Sequence, residues 1–277
     1  MRSPTNRWRP VPGIRTGAPP TPLVLADELH LFVQTTQMQI AWSRYAPRVG
    51  WDEWRTVPCA RPLAAGPTAV EFGGAVHLFA RAADHRLYQT RLSDGEWAVW
   101  TPVPGAVPAT SRPRAVVWGD RLLLVVRDES SHVLGQWYGD EWEGWSTLSV
   151  GQALVTPHPI VWGDLLHLFM TDPDHRLRLC SLPRGGQWSS PQLVPGAPQT
   201  LLSPWAIPHR SALVLGATGQ NGQLCLARKQ SLSGWTGWHR AAGAPLSQHG
   251  PALCALADRV YLFVTGPDGT VHYTATR

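Results

Sequence analysis

Short runs of alternating apolar and polar residues, separated by turn residues, extend along the whole chain. In Leu87-Tyr-Gln-Thr90, for example, the alternation is bounded by Asp84-His-Arg86 on one side and Asp94-Gly95 on the other. A period of two between Gly, Asp and Asn turns is typical of antiparallel β-hairpins. No stretch of ten residues has a convincing period of 3.6, so the pattern does not favour helices. The sequence therefore predicts an all-β chain.

Three segments of this pattern recur in a fixed order, which indicates an internal repeat. The first is a tryptophan motif whose leading Trp recurs every 45 to 47 residues: Trp51, Trp97, Trp142, Trp188 and Trp235. The second is an apolar strand that occurs six times: Leu29–Phe32, Val76–Phe79, Leu122–Val125, Leu166–Phe169, Ala212–Leu215 and Val260–Phe263. The third precedes it and ends in a turn, as in Val117-Trp-Gly-Asp120. A period of roughly 40–50 residues with four strands per unit is typical of a β-propeller blade.

The repeat count and the two ends of the sequence together predict a closed ring. We expect a single domain over 1–277, with blades at about 20–57, 66–103, 112–148, 156–194, 203–240 and 250–277. The sixth unit has only three strands, and its fourth is predicted at residues 7–11, because Trp8-Arg-Pro-Val-Pro-Gly13 matches Trp100-Thr-Pro-Val-Pro-Gly105. Such closure removes open sheet edges. The predicted fold is a six-bladed β-propeller of four-stranded antiparallel blades, with the N-terminal strand completing the last blade.

Composition and charge argue against several classes of function but do not indicate a particular one. The net charge is +5, but only 16% of residues are charged and no run of four Lys or Arg occurs, so nucleic acid is not an expected partner. No secretory leader and no membrane span is evident, which predicts a cytoplasmic protein. The four cysteines are far apart and are expected to be reduced: Cys59, Cys180, Cys225 and Cys254. No phosphate-binding, dinucleotide or metalloprotease motif is present, so no cofactor and no metal is expected.

The strongest candidates for a site are residues that break the repeat at the mouth of the central channel. One position, immediately after the proline that precedes the innermost strand, is expected to line this mouth: Thr68, Arg114, His158, Trp205 and Ala252. Arg114, His158 and Trp205 come from three consecutive blades, so a cationic, a titratable and an aromatic group are predicted on one side of the mouth. Such a group would bind a ligand, or its members would be ordinary solvated rim residues.

Glu71 is the sharpest single departure from the repeat, because its counterparts are Val, Pro or Ala. A carboxylate on an innermost strand needs a partner or water, since otherwise its pKa rises. A salt bridge to Arg81 or Arg114 is the simpler expectation. The alternative is a ligand contact or an acid/base role, which Glu71 would share with His158.

Two further groups of residues invite a functional interpretation. His30, His77 and His167 occupy one strand position, but their blades are not evenly spaced, so half-buried histidines are favoured over a metal site. The hairpin turns of the second and fourth units carry His-Arg pairs that turn chemistry does not require. Candidate ligand contacts at this edge are Arg81, His85, His175 and Arg176.

The repeated segments resemble a known family. Trp97-Ala-Val-Trp-Thr-Pro-Val-Pro-Gly105, Val-Val-Trp-Gly-Asp at 116–120, Leu-His-Leu-Phe at 29–32 and Asp-x-x-Leu-Tyr at 84–88 are similar to segments of the PLL-like and tectonin-like β-propeller lectins of bacteria. The resemblance covers nearly the whole chain and rests mainly on blade-packing residues. It implies binding of fucose or related, sometimes methylated, sugars in pockets between blades. The chain departs from the family in having six units, where seven are common, and in pocket positions that vary from blade to blade.

Two main hypotheses of function follow. The first is a carbohydrate-binding lectin, for fucose or methylated sugars, in which tryptophans both pack the blades and line sugar pockets. The second is a cytoplasmic enzyme, a cyclase, isomerase or lyase, that acts on a small metabolite in one pocket at the channel mouth. It would use Glu71 or His158 as acid or base, Arg114 as a clamp and Trp205 as a wall. An interaction scaffold is a third reading. The ligand would be a glycan under the first hypothesis and a small molecule under the second.

Overall fold

A computed structural model describes residues 7–231 and 234–276 of the chain. These residues form 27 β-strands and no helix, so none of them lies in a helix that could cross a membrane. The all-β prediction is confirmed. The first strand, β1 (Arg9–Arg15), comes before the first blade, which contains β2 (Thr21–Leu25), β3 (Glu28–Gln34), β4 (Ile40–Ala46), β5 (Gly50–Trp51) and β6 (Arg55–Val57).

The other blades repeat this order of strands. Blade 2 contains β7 (Thr68–Phe72), β8 (Ala75–Arg81), β9 (Leu87–Ser93), β10 (Glu96–Trp97) and β11 (Thr101–Pro102). Blade 3 contains β12 (Arg114–Trp118), β13 (Arg121–Arg127), β14 (His132–Tyr138) and β15 (Trp142–Gln152), and blade 4 contains β16 (His158–Trp162), β17 (Leu165–Thr171), β18 (Leu177–Pro183) and β19 (Gln192–Leu193). Blade 5 contains β20 (Trp205–His209), β21 (Ala212–Thr218), β22 (Leu224–Gln230), β23 (Gly234–Trp235) and β24 (His239–Arg240), and blade 6 contains β25 (Ala252–Leu256), β26 (Arg259–Thr265) and β27 (Thr270–Thr276).

The blades form a closed ring, as the repeat count predicts. Each blade is an antiparallel meander, and in blades 1, 2 and 5 its outer strand is split into two short pieces that pair with the same neighbour. The first strand of every blade contacts the first strands of both adjacent blades, in the order β2, β7, β12, β16, β20, β25 and back to β2. These six strands therefore surround the axis of a six-bladed propeller.

Closure of the ring is made by the N-terminal strand, also as predicted. Strand β1 pairs antiparallel with β27, with Arg9 opposite Tyr273 and Arg15 opposite Thr270. The strand extends to Arg15, beyond the expected 7–11, because the pairing resumes after an irregular stretch that follows Pro10. Proline lacks an N–H donor and is accommodated on an outer strand such as this one.

The recurring tryptophans hold adjacent blades together. The leading Trp of a blade packs edge-on against the strand phenylalanine of the preceding blade, with ring centroids 5.9–6.4 Å apart: Trp51–Phe263, Trp97–Phe32, Trp142–Phe79 and Trp235–Phe169. This edge-to-face geometry is the favoured one for aromatic pairs. The hydrophobic clusters accordingly lie between blades, as in the cluster that joins blades 1 and 2.

The second Trp of the motif adds a hydrogen bond across the same interfaces. Its indole N–H donates to a backbone carbonyl of the preceding blade: Trp8 to Ala242, Trp54 to Pro12, Trp100 to Pro58, Trp145 to Gly105 and Trp238 to Pro195. Blade 4 has Pro191 at this position and makes no such bond. These indoles are therefore structural, as the packing interpretation of the repeat predicts.

The connections between blades and the hairpin turns after the second strands lie on one face, called the upper face below. Backbone hydrogen bonds link the two kinds of loop, as from Thr200 N to His175 O at 3.0 Å and from Ser247 N to Gly222 O at 2.9 Å. In each of these six turns one residue has a positive φ: Met38, His85, Ser131, His175, Gly222 and Gly269. The histidines at 85 and 175 thus occupy a turn position where two other blades have glycine.

Candidate functional site

The predicted residues at the channel mouth are the first residues of the innermost strands, and all of them are buried. The six residues of this position are Thr21, Thr68, Arg114, His158, Trp205 and Ala252, and none is more than 7% exposed. The alternative that they form an ordinary solvated rim is therefore wrong. Since the six inner strands meet close to the axis, neighbouring blades cover the side chains at their starts.

Three of these residues come together as predicted. The Arg114 guanidinium lies over the Trp205 ring, with Cζ 4.3 Å from its centroid. The His158 and Trp205 rings are 4.9 Å apart at an interplanar angle of 33°. Arg114 belongs to blade 3 and Trp205 to blade 5, so this contact reaches past blade 4. The result is a compact cation–aromatic–imidazole group at the channel mouth.

Arg112, which the sequence analysis missed, completes this group. Its guanidinium reaches across the mouth from blade 3 and donates to Pro19 O at 3.1 Å and to Pro67 O. Its Cζ lies 6.0 Å from the Trp205 centroid. The residues two places before each inner strand are otherwise small or cyclic: Pro19, Gly66, Thr156, Ser203 and Gly250. A single large residue among five small ones is the sequence signal that marks Arg112. We call Arg112, Arg114, His158, Ser203 and Trp205 the channel-mouth cluster.

His158 is held in one orientation and in its neutral form. Its Nε2 lies 2.8 Å from Ala206 O, so Nε2 carries the proton and donates to this carbonyl. Burial, and next the charge of Arg114, lower the pKa of His158 well below its usual range. Nδ1 is buried and has no hydrogen-bond partner. At neutral pH His158 is therefore an uncharged group with one free acceptor atom.

Glu71 lies apart from this cluster. It is the fourth residue of β7, near the turn to β8, where its side chain is exposed to solvent. It forms no ion pair with Arg81 or Arg114, the two partners that the sequence suggested, and its side chain is exposed. It makes no contact with His158. The burial that would have prepared Glu71 for acid/base chemistry is absent.

The hairpin-turn candidates are distributed over the upper face and are not assembled into one site. Arg81 Nη1 lies 3.2 Å from Nδ1 of His85 within blade 2. His175 Nδ1 lies 3.2 Å from the amide nitrogen of Gln220, a residue of blade 5. Arg176 is exposed, and its backbone N–H donates to Asp172. These residues stabilise the turns and lie at the edges of two different blades.

A pocket that the sequence analysis missed lies between blades 6 and 1. This seam pocket has a volume of about 480 Å³, and its lining includes Arg9, Tyr45, Asp258, Arg259, Tyr261 and Tyr273. The ring of Tyr45, from blade 1, is 5.8 Å from that of Tyr261 and 5.6 Å from that of Tyr273. Three of the five tyrosines of the chain thus meet at one blade interface.

The electrostatics of the seam pocket favour a polar ligand with an apolar face. Burial, followed by the neighbouring hydroxyl of Tyr273, raises the pKa of Tyr45. The phenol of Tyr45 therefore stays neutral and acts as both donor and acceptor. Arg9, Asp258 and Arg259 are exposed at the rim. Aromatic rings together with exposed charged hydrogen-bonding groups are the features that hold a small polar molecule in a defined orientation.

The three histidines that share one position on the second strands, His30, His77 and His167, are not arranged for metal binding. Among residues 7–231 and 234–276, no three His, Cys, Asp or Glu side chains lie close enough together to hold an ion. His30 stacks on Trp42 and His77 on Phe79, while His167 Nδ1 pairs with the Ser181 hydroxyl at 2.8 Å. These histidines pack within the blades.

One of these histidines makes the stability of the fold sensitive to acid. Burial, and next the charge of Lys229, lower the pKa of His167 to about 4. In the unfolded chain it titrates near 6.5, so between these values the unfolded state binds more protons and the free energy of unfolding falls as pH decreases. His167→Leu, which copies Leu123 of blade 3, is expected to reduce the slope of the free energy of unfolding against pH by up to about 1.4 kcal/mol per pH unit. Urea unfolding between pH 4 and pH 7.5 measures it, and an unchanged slope would contradict the assignment.

Comparison with known proteins gives a likeness in fold. No family model matches the sequence, and no curated protein sequence matches it. AofleA from Arthrobotrys oligospora is similar in structure with a TM-score of 0.76 at 14% identity, over 98% of this chain and 86% of that one. The BP39L lectin from Burkholderia pseudomallei has a TM-score of 0.70 at 14% identity, over 95% and 96%. The Aleuria aurantia lectin AAL, in a complex with Fucα1-6GlcNAc, has a TM-score of 0.66 at 8% identity, over 94% of each chain. At these identities the likeness establishes the fold alone, a β-propeller shared with these proteins.

Proposed function

We propose that this protein is a carbohydrate-binding propeller and that the seam pocket between blades 6 and 1 is its principal sugar site. The observation that carries the proposal is the meeting of Tyr45, Tyr261 and Tyr273 with the rim groups Asp258 and Arg259. A pyranose has an apolar C–H face that packs on an aromatic ring and hydroxyls that need charged or polar partners. Both requirements are met within one pocket of suitable size.

The resemblance of the repeats and the fold comparison narrow the expected ligand. Two of the structurally similar proteins are lectins by name, and AAL was solved with a fucosyl disaccharide. Fucose or a methylated sugar is the corresponding expectation here, because each presents an apolar methyl group together with hydroxyls. The fold by itself does not select a ligand, so the proposal rests on the contents of the pocket.

The pocket is not repeated in equivalent form around the ring. The position of Tyr45, opposite the second residue of the second strand, is occupied in blades 2 to 5 by Leu92, Tyr138, Leu182 and Lys229. At the seam of blades 2 and 3, Tyr138 faces His77 and Phe72 in place of two tyrosines. We therefore expect one principal sugar site per chain rather than six.

The test is a glycan array on the purified protein, followed by calorimetry with α-methyl fucoside or with the best array ligand. The expected stoichiometry is one per chain. Tyr45→Leu, which copies Leu92 of blade 2, should weaken binding tenfold or more, which corresponds to about 1.4 kcal/mol. Tyr138→Leu is the matched control, since it makes the same change at another seam, and it should leave the affinity unchanged. The proposal would be refuted if the protein bound no glycan. It would also be refuted if the Tyr45→Leu variant bound the ligand as tightly as the unchanged protein.

A further inference from the structure

Two guanidinium groups lie near the same Trp205 ring at the channel mouth, with Cζ of Arg112 6.0 Å and Cζ of Arg114 4.3 Å from its centroid. Arg114 is only 3% exposed, and Arg112 is half-buried beside it at the opening. Neither forms an ion pair with any acidic side chain of the described residues. Burial of a charge is costly unless the charge is paired, and two like charges in one place increase the cost.

The N–H donors of these two arginines are only partly satisfied by hydrogen bonds within the protein. Arg112 donates through its terminal nitrogens to Pro19 O, Pro67 O and the Thr21 hydroxyl, but its Nε is buried without a partner. Arg114 has one long hydrogen bond, from Nη2 to Ser203 Oγ at 3.4 Å, and its Nε is likewise unpartnered. Trp205 contributes its ring face to Arg114 but no acceptor atom. Buried N–H donors without acceptors are rare in folded proteins and call for an explanation.

The groups around the two arginines suit an anion and do not suit a cation. The hydroxyls of Ser111 and Thr156 pair with each other beside the cluster, and Ser203 donates to Thr156 O at 3.0 Å. Burial lowers the pKa of Arg112 to about 10, and burial together with the charge of Arg112 lowers that of Arg114, as expected for cations that lack a counter-charge. Both arginines remain protonated at neutral pH.

We propose that the mouth of the central channel is a binding site for one small anion, held between Arg112 and Arg114. The ligand class is a chloride-sized ion or the carboxylate of a small organic acid, since either supplies the missing negative charge and acceptor atoms. Access is from the upper face past Arg112, because Arg114 is almost fully covered. This site is separate from the seam pocket, and it does not depend on sugar binding.

The experiment measures the thermal midpoint of the intact protein in chloride, in bromide and in acetate. Ionic strength is held constant with a bulky sulfonate. An anion that binds the folded state raises the midpoint with its concentration until the site is saturated. Arg112→Met and Arg114→Met should each abolish this dependence. Arg184→Met is the matched control, because Arg184 also lies over an indole, with Cζ 5.2 Å from the Trp118 centroid, but is exposed. It should retain the dependence in full.

A crystal soaked in bromide provides a readout that needs no variant. The expected result is an anomalous peak within hydrogen-bonding distance of both guanidinium groups. A response to acetate alone, lost in Arg114→Met, would identify the carboxylate of an organic acid as the ligand and support the site. No anomalous peak and no response to any of the three anions would overturn the proposal. So would an anion response that persists in Arg114→Met.

Discussion

A chain that lacks residues 1–15 is expected to lose most of its stability and to aggregate. The deletion removes β1, whose Val11 is 2% exposed, and it takes away the carbonyl of Pro12 that accepts the indole N–H of Trp54. Burial of a side chain such as Val11 is worth about 1.5–3 kcal/mol, so together with the lost strand pairing the deletion approaches the whole stability of an ordinary domain. It also exposes the edge of β27 to pairing with other chains. Urea unfolding followed by circular dichroism, with light scattering, measures both effects.

Two controls separate loss of the closing strand from loss of sequence in general. A chain that lacks only residues 1–6 keeps all of β1 and should unfold at the same urea concentration as the full protein. A synthetic peptide of residues 7–17, added to the shortened chain, should restore part of the lost stability by strand addition. Full stability of the 1–15 deletion would show that blade 6 does not need its fourth strand.

Gly250→Ala is expected to destabilise the fold by about 2 kcal/mol, because there is no room for a methyl group at the channel mouth. A Cβ at this position would clash with the carbonyl oxygen of Ser203, which is a backbone atom and cannot rotate away. Ser203 also accepts the Arg114 hydrogen bond and donates to Thr156. The substitution therefore strains the packing between blades 5 and 6 at the point where the cluster is held. Thermal and urea unfolding measure the loss.

Gly17→Ala is the control for this substitution, since it makes the same chemical change on the same face. No atom outside its immediate neighbours lies within 4 Å of a Cβ built there. Alanine restricts the unfolded chain more than glycine does, so we expect a small gain of about 0.4–1 kcal/mol. A loss of similar size in both variants would indicate that the contact with Ser203 is not the cause.

The architecture could be predicted because the residues that determine it recur at a regular spacing in the sequence. The six copies of the apolar strand give the blade count, and the match between Trp8–Gly13 and Trp100–Gly105 gives the closing strand. The convergence of Arg114, His158 and Trp205 was also predictable, since they share one register position in consecutive blades. Their burial was not, because the alternation along a strand does not report how closely the inner strands approach the axis.

The remaining site residues escaped prediction for identifiable reasons. Arg112 precedes the proline from which the inner strands were aligned, so its position was never compared among blades. Tyr45 and Tyr261 are more than 200 residues apart in the sequence and meet only because the ring brings blade 6 against blade 1. Glu71 is as unusual in the sequence as Arg114. It is nevertheless exposed near the end of its strand, whereas Arg114 is buried. A departure from a repeat thus marks a position without revealing its exposure.

The pairing of β1 with β27 also sets the order of events during synthesis. Ribosomes deliver Arg9–Arg15 before any other strand of the ring, whereas the strand that it pairs with, Thr270–Thr276, is delivered after all the others. Blades 1 to 5 are each built from strands close in sequence and can form as they emerge, whereas blade 6 requires its two most distant segments to meet. Contacts of such large sequence separation form slowly. Until Thr270–Thr276 leaves the ribosome, β1 is made but has no partner, and the ring is open.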